Sequence, residues 1–197
     1  GDNGRFLRIW WEVGFEKINL HAQDAKTAIK SCLKWFPYNK GGEYRKWYGD
    51  NDYIVNWEGG GIELFENAKK EKRNAQDYPE KYKFKPAISW SLVTSGQPAF
   101  RIKNNNLSDI AGPALFTENA FFNQILSFCN SVVSLKILTM INPTINFQGG
   151  NIAQLPILDS ELEKERINER TNASVNISRV DWDSFETSWD FKKHPMI

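Results

Sequence analysis

Residues 119–157 read NAFFNQILSFCNSVVSLKILTMINPTINFQGGNIAQLPI, and they set the architecture. Phe122, Ile125, Leu126, Cys129, Val132, Val133, Lys136, Ile137 and Met140 recur at helical spacing around one broad face. Thr117-Glu118-Asn119 supplies capping chemistry ahead of them, and Pro143 bars continuation beyond them. The spacing predicts a single long helix over Asn119–Ile141. Past it, Ile145–Phe147 and Asn151–Ile157 read as short extended pieces around Gly149-Gly150.

Upstream of this helix the pattern is mostly that of strands. YIVNW at Tyr53–Trp57 is a strand, and AISWSLVT at Ala87–Thr94 alternates like a half-buried one. Ser95-Gly96-Gln97-Pro98 is a turn that returns the chain into a second hairpin strand at Ala99–Lys103, followed by the polar turn Asn104-Asn105-Asn106. Ile110–Phe116, interrupted by Gly112-Pro113, reads as a broken strand. RFLRIWWEVGF at Arg5–Phe15 fits a strand or a short helix. Ala22–Trp35 reads as a helix ended by Pro37, and Ile62–Gln76 as a charged helix. Downstream, Asp159 is placed to cap a polar helix through Glu169, with a loop or strand over Asn172–Ser178. The fold class expected is α+β: a β-rich module with one long helix and flanking helical segments.

With 41% hydrophobic and 25% charged residues, the 197-residue chain has the composition of a globular protein with a sizeable core. Net charge is only +1, so its distribution carries more information than its sum. Residues 69–103 are basic, with Lys69, Lys70, Lys72, Arg73, Lys81, Lys83, Lys85, Arg101 and Lys103. Residues 159–190 are acidic. A polyanion-facing middle and a separate acidic helical face follow. Cys32 and Cys129 are far apart, and His21 and His194 have no partner at ligand spacing, which excludes a zinc pattern. Two cysteines suit the cytoplasm. The most apolar run, Ile125–Ile141, contains Asn130 and Lys136 and is too short and polar to span a bilayer, so no membrane partner is expected.

Catalytic patterns fail on chemistry. Gly59-Gly60-Gly61 is not followed by the Gly-Lys-Ser/Thr of a phosphate loop. Asn142-Pro143-Thr144-Ile145 lacks the second proline and the aromatic with which an amino-methyltransferase holds a flipped base. Asp50/Asp52 and Asp181/Asp183 have no neighbouring His or Lys, and no Ser or Cys sits beside a histidine. What remains suits binding. Arg45-Lys46-Trp47-Tyr48 combines two cations with two aromatics, a set that pairs phosphates and stacks. Arg101 and Lys103 extend the phosphate-contact set. Gln97, Asn104 and Asn105 are candidates for base edges, and Asn146 and Gln148 are candidate polar contacts in the helix-exit loop.

At these residues the chain resembles a known family. GDNGRFLRIWWEV, KGGEYRKWYGDNDYIVNWEGGG, AISWSLVTSGQPAFRI, LSFCNSVVSLKILTMINPTINFQGGNIAQLPI and DWDSFETSWDFKKHPMI match, in order, the region after the catalytic domain in adenine-specific methyltransferases of bacteriophage-exclusion (BREX) systems and related type IIG restriction-modification enzymes. The resemblance implies a DNA target-recognition region, not itself catalytic and without a cofactor of its own. The parent enzyme would bind S-adenosylmethionine in a domain absent from this sequence. It further implies a connector at 1–39, the recognition domain at 40–157 and a helical segment at 158–197. The partners implied are double-stranded DNA, the methyltransferase domain and other defence-system proteins. The rival expectation is a protein-docking module, with apolar surface exposed around Trp10, Trp11 and Trp182.

Overall fold

A computed structural model describes residues 3–72, 78–157 and 163–197. Arg73, Asp77, Glu161 and the expected Asp159 cap lie outside these. The chain divides into two compact units, and helices and strands are numbered along it. One unit comprises residues 1–40, 51–86 and 104–110; the other comprises 41–50, 87–103 and 111–197.

The first unit contains α1 (Asn3–Phe6), β1 (Leu7–Ile9), α2 (Ala25–Lys30), β2 (Trp35–Asn39), β3 (Tyr53–Asn56), α3 (Ile62–Lys70) and β6 (Leu107–Ser108). Its sheet runs β1-β3-β2-β6. Leu7 and Phe36 both pair with Val55 antiparallel, and Tyr38 pairs with Leu107 in parallel. The core is aromatic: Phe36, Trp57 and Phe84 meet edge to face or tilted, with centroids 5.2–5.9 Å apart, against the small residues Ala22, Ala25 and Ala28.

Two expectations are corrected in this unit. The helix expected over Ala22–Trp35 is only Ala25–Lys30, and Pro37 lies inside a strand instead of ending a helix. Flanking partners explain the proline. On its outer edge β2 is met by Ile18 at Trp35 and by β6 at Tyr38 and Asn39, so Pro37 sits in the gap where no N–H is required.

The second unit contains β4 (Ala87–Ser89), β5 (Arg101–Lys103), β7 (Ala114–Leu115), α4 (Asn119–Cys129), α5 (Val132–Ile141), α6 (Gly149–Ala153) and α7 (Lys164–Trp182). The antiparallel sheet runs β5-β4-β7, and the hairpin expected between residues 87 and 103 is present as Ile88 opposite Ile102. Ile88, Trp90, Phe100, Leu126, Leu138 and Phe147 form its core.

The single long helix is two helices meeting at 74°. Asn130 ends the first. Its side chain accepts from Phe100 N at 3.1 Å and donates to Phe100 O at 2.9 Å, clamping the break to the chain entering β5. Ser131 starts the second by accepting from Ser134 N. Both polar residues sit inside an apolar periodicity that masks them as a break.

Two further corrections concern helices. Residues 149–153 are helical rather than extended. The helix beginning at Lys164 continues through the expected loop at Asn172–Ser178 for 19 residues. Its Asn- and Ser-rich sequence has weak propensity, but Thr171, Val175 and Trp182 are buried on one side, so packing decides.

Asn130→Ala leaves the buried N–H and C=O of Phe100 without their side-chain partners. We expect a loss of about 3 kcal/mol in urea unfolding, with an unchanged m-value.

Candidate nucleic-acid interface

The cation–aromatic motif does not stand open. Residues 41–50 form a loop whose Trp47 bonds the free edge of β5: Trp47 N donates to Phe100 O at 2.8 Å, and Trp47 O accepts from Ile102 N at 2.9 Å. Lys46 Nζ donates to Asn130 O at 2.9 Å. Arg45 pairs with Asp181 at 2.8 Å and lies over the Trp182 ring. Tyr48 lies beneath Arg179. Ser178 Oγ donates to Lys46 O and Tyr48 O, each at 3.0 Å. Gly49 has φ +125°, and a Cβ there would meet the Trp182 ring at 2.9 Å, so only glycine fits.

Arg101 and Lys103, expected to hold phosphate, are interior. Arg101 is 0% exposed; its Nη2 lies 3.2 Å from Asp50 Oδ2 and 3.1 Å from Ser91 Oγ. Lys103 Nζ donates to Gly49 O at 2.8 Å and to Asp50 O at 2.6 Å. Ser91 also holds both the N–H and the carbonyl of Gly42. Burial raises the Asp50 carboxyl above its ordinary range, while Arg101, Lys103 and Arg45 pull it back. These cations neutralise and fasten the loop. Their solvent-facing role does not survive because alternation on β5 turns both inward.

The exposed lysines of the basic stretch 69–85 belong to the first unit. Lys69 and Lys70 end α3, where they also suit its dipole, and Lys72, Lys81 and Lys85 are likewise exposed. Asn104 is exposed in the same unit, whereas Asn105 (φ 57°) turns the chain and donates its amide to Leu20 O at 3.2 Å.

The remaining candidates, Gln97, Asn146 and Gln148, lie in the second unit. Residues 92–94 lie antiparallel to 145–147: Thr94 N donates to Ile145 O at 3.0 Å, Phe147 N to Leu92 O at 2.7 Å, and Val93 stands opposite Asn146. Phe147 is buried and anchors the pair, with Trp90 Nε1 donating to its carbonyl at 2.7 Å. Asn142 Nδ2 holds Asn146 O at 2.8 Å, so the Asn142-Pro143 exit braces the loop. Asn146 within this ladder, and Gln97 and Gln148 beyond its ends, are exposed. Val93 and Ile145, which sequence reasoning does not single out, are 57% and 59% exposed. Their one signal is an aliphatic residue in an otherwise polar turn, and it passes for strand filler.

Cys32 is exposed, and burial pushes the Cys129 thiol up to about 12.

The class to which this arrangement connects comes from its relatives. No family model matches the chain. Over its whole length it is similar to one region of adenine-specific methyltransferases. Two of these are the adenine-specific methyltransferase PglX of Lacticaseibacillus casei (strain Zhang) and the adenine-specific methyltransferase BrxX of Escherichia coli O9:H4 (strain HS). PglX is 35% identical over 201 residues, spanning 100% of this chain and 16% of that protein. BrxX is 36% identical over 197 residues, spanning 98% of this chain and 15% of that protein. The chain thus spans less than a fifth of the length of the curated relatives it matches.

Arg101→Met strands Asp50 in the interior. We expect a loss of about 3 kcal/mol at neutral pH by urea unfolding. The loss shrinks toward acid, because the lone carboxyl's folded pKa rises further. A raised carboxyl favours the folded state below its unfolded pKa, and that advantage disappears as pH climbs through the folded value.

Proposed function

We propose that the chain is the target-recognition region of an adenine-specific DNA methyltransferase in a bacterial restriction-modification or phage-exclusion system. It grips duplex DNA and supplies sequence specificity, and it performs no methyl transfer itself. The observation that carries this reading is the lobe built from 92–97 and 144–148. Its two segments carry the exposed carboxamides Gln97, Asn146 and Gln148, with Asn146 held in the ladder opposite Val93. The whole-length similarity to a region of proteins named adenine-specific methyltransferases supports it. In the parent enzyme another domain would bind S-adenosylmethionine and take the flipped adenine, acting in the cytoplasm. Phosphate contact falls to the exposed lysines of residues 69–85, since Arg101 and Lys103 are internal and Arg45 and Lys46 hold the 41–50 loop.

A second reading has its own observation. Trp11 and Phe15 are 50% and 53% exposed around Trp10, with ring centroids 5.7 and 6.3 Å from it. Exposed aromatics of this kind suit docking of the methyltransferase domain or of another defence protein. Trp182, expected to join such a patch, is buried under Arg45.

Fluorescence anisotropy on a random duplex pool at several salt concentrations tests the first reading. Binding should weaken steeply with salt. Lys69→Gln/Lys70→Gln/Lys72→Gln should flatten the log–log salt slope by about 0.9 for each phosphate left without its lysine. Salt-independent binding, or a slope unmoved by the triple variant and by Lys81→Gln/Lys85→Gln, sinks the phosphate assignment. For the second reading, Trp11→Ala/Phe15→Ala should abolish co-purification with the methyltransferase domain while leaving DNA affinity intact.

A further inference from the structure

We infer that the 92–97/144–148 lobe reads A·T pairs in the major groove, its carboxamides meeting adenine and its aliphatic side chains the thymine methyl. This rests on the DNA-recognition reading above.

The first observation is the absence of charge. No Arg, Lys, Asp or Glu occurs from Pro86 to Phe100 or from Ile137 to Leu158, the two stretches that build the lobe. Guanine shows two adjacent acceptors, O6 and N7, and is met best by the paired donors of Arg or by Lys. Cytosine shows a donor, met by Asp or Glu. The lobe offers neither type. A carboxamide carries one donor and one acceptor in a plane, which matches adenine N6–H and N7.

The second observation is apolar exposure on the same two segments. Val93 and Ile145 stay more than half exposed beside a core that buries Phe147 and Trp90. The thymine methyl is the one apolar group on the major-groove floor, and aliphatic side chains are its partners.

The third is register. Val93 stands directly opposite Asn146, so an aliphatic and a carboxamide side chain leave the same face side by side. A·T steps present a methyl and an adenine edge side by side in the same way. The backbone holding this pair is fixed at both ends, by Phe147 N on Leu92 O and by Asn142 Nδ2 on Asn146 O. Pre-organised side chains discriminate without first bearing the entropy of ordering.

The test uses the full-length protein. Site selection from a random duplex pool is followed by anisotropy on the selected site and its derivatives. The enriched site should contain A·T pairs. Asn146→Ala/Gln148→Ala should lose about tenfold in preference at such pairs, with non-specific affinity for an unselected duplex unchanged. Gln97→Ala should relax preference at a neighbouring pair.

Deoxyuridine in place of thymidine removes only the methyl. It should weaken wild-type binding severalfold and leave Val93→Ala/Ile145→Ala unaffected, a DNA-side change that no folding defect can imitate. The inference is overturned if the variants enrich the wild-type site with undiminished strength. It is also overturned if the preferences they lose lie at G·C pairs, or if deoxyuridine is bound as well as thymidine. If the wild type enriches no sequence and binds without salt dependence, the recognition reading fails, and this inference with it.

Discussion

A carboxylate taken out of water needs compensation, and in the second unit Asp50 receives it from two cations on one short strand. Arg101 and Lys103 point inward from β5, one to the carboxylate and the other to the carbonyls of Gly49 and Asp50. Desolvation raises the acid and the cations oppose it, so the cluster is stable only while all its members are present. That condition fixes where the 41–50 loop lies. Once the loop is seated, Trp47 covers the edge of β5, which would otherwise present unpaired backbone groups. Ser178, Arg179 and Asp181 of α7 then find their partners on its outer side. The helix whose sequence predicts it least thus owes its position to a polar cluster and to Thr171, Val175 and Trp182.

The same cluster explains which parts of the candidate site were legible. Composition marks residue types suited to phosphate, and Arg45, Lys46, Arg101 and Lys103 are such residues. Whether a cation faces solvent depends on what lies across from it. Asp50 and Ser91 are separated from Arg101 in sequence by many residues or by a turn, so no local pattern links them. The exposed carboxamides were legible individually, because Gln97, Asn146 and Gln148 each fall in a turn or loop of the sequence. The pairing of Asn146 with Val93 was not, since it depends on the ladder between residues 92–94 and 145–147.

The fold shows a parallel division. Strongly patterned elements emerge where expected: β3 in YIVNW, the β4–β5 hairpin, and an α3 that begins after Gly61 with φ +81°. The misses share a cause in tertiary override. Pro37 is tolerated in a strand because its neighbours leave a gap, and Asn130 breaks an apolar helix because Phe100 offers its buried N–H and C=O together. Neither partner is visible from the local sequence. The α+β class survives these shifts because it depends on the presence of both kinds of element, not on their boundaries.

Under the DNA-recognition proposal, separating charge from readout has a physical logic. Cations bind every duplex alike, since the phosphate backbone carries no sequence. A lysine beside a reading side chain would hold the lobe on wrong sites almost as firmly as on right ones, compressing the difference in affinity that constitutes specificity. A lobe of neutral carboxamides and aliphatic side chains gains little from phosphate. It gains from a base edge only when donors, acceptors and methyl groups coincide, and a mismatch leaves its polar atoms desolvated and unpaired. Arg101 and Lys103 lie close in sequence to Gln97 and would have put charge near that surface. Turned inward onto Asp50 and the loop carbonyls, they stabilise the unit that carries the lobe and, under the DNA-recognition proposal, leave its reading surface without their charge.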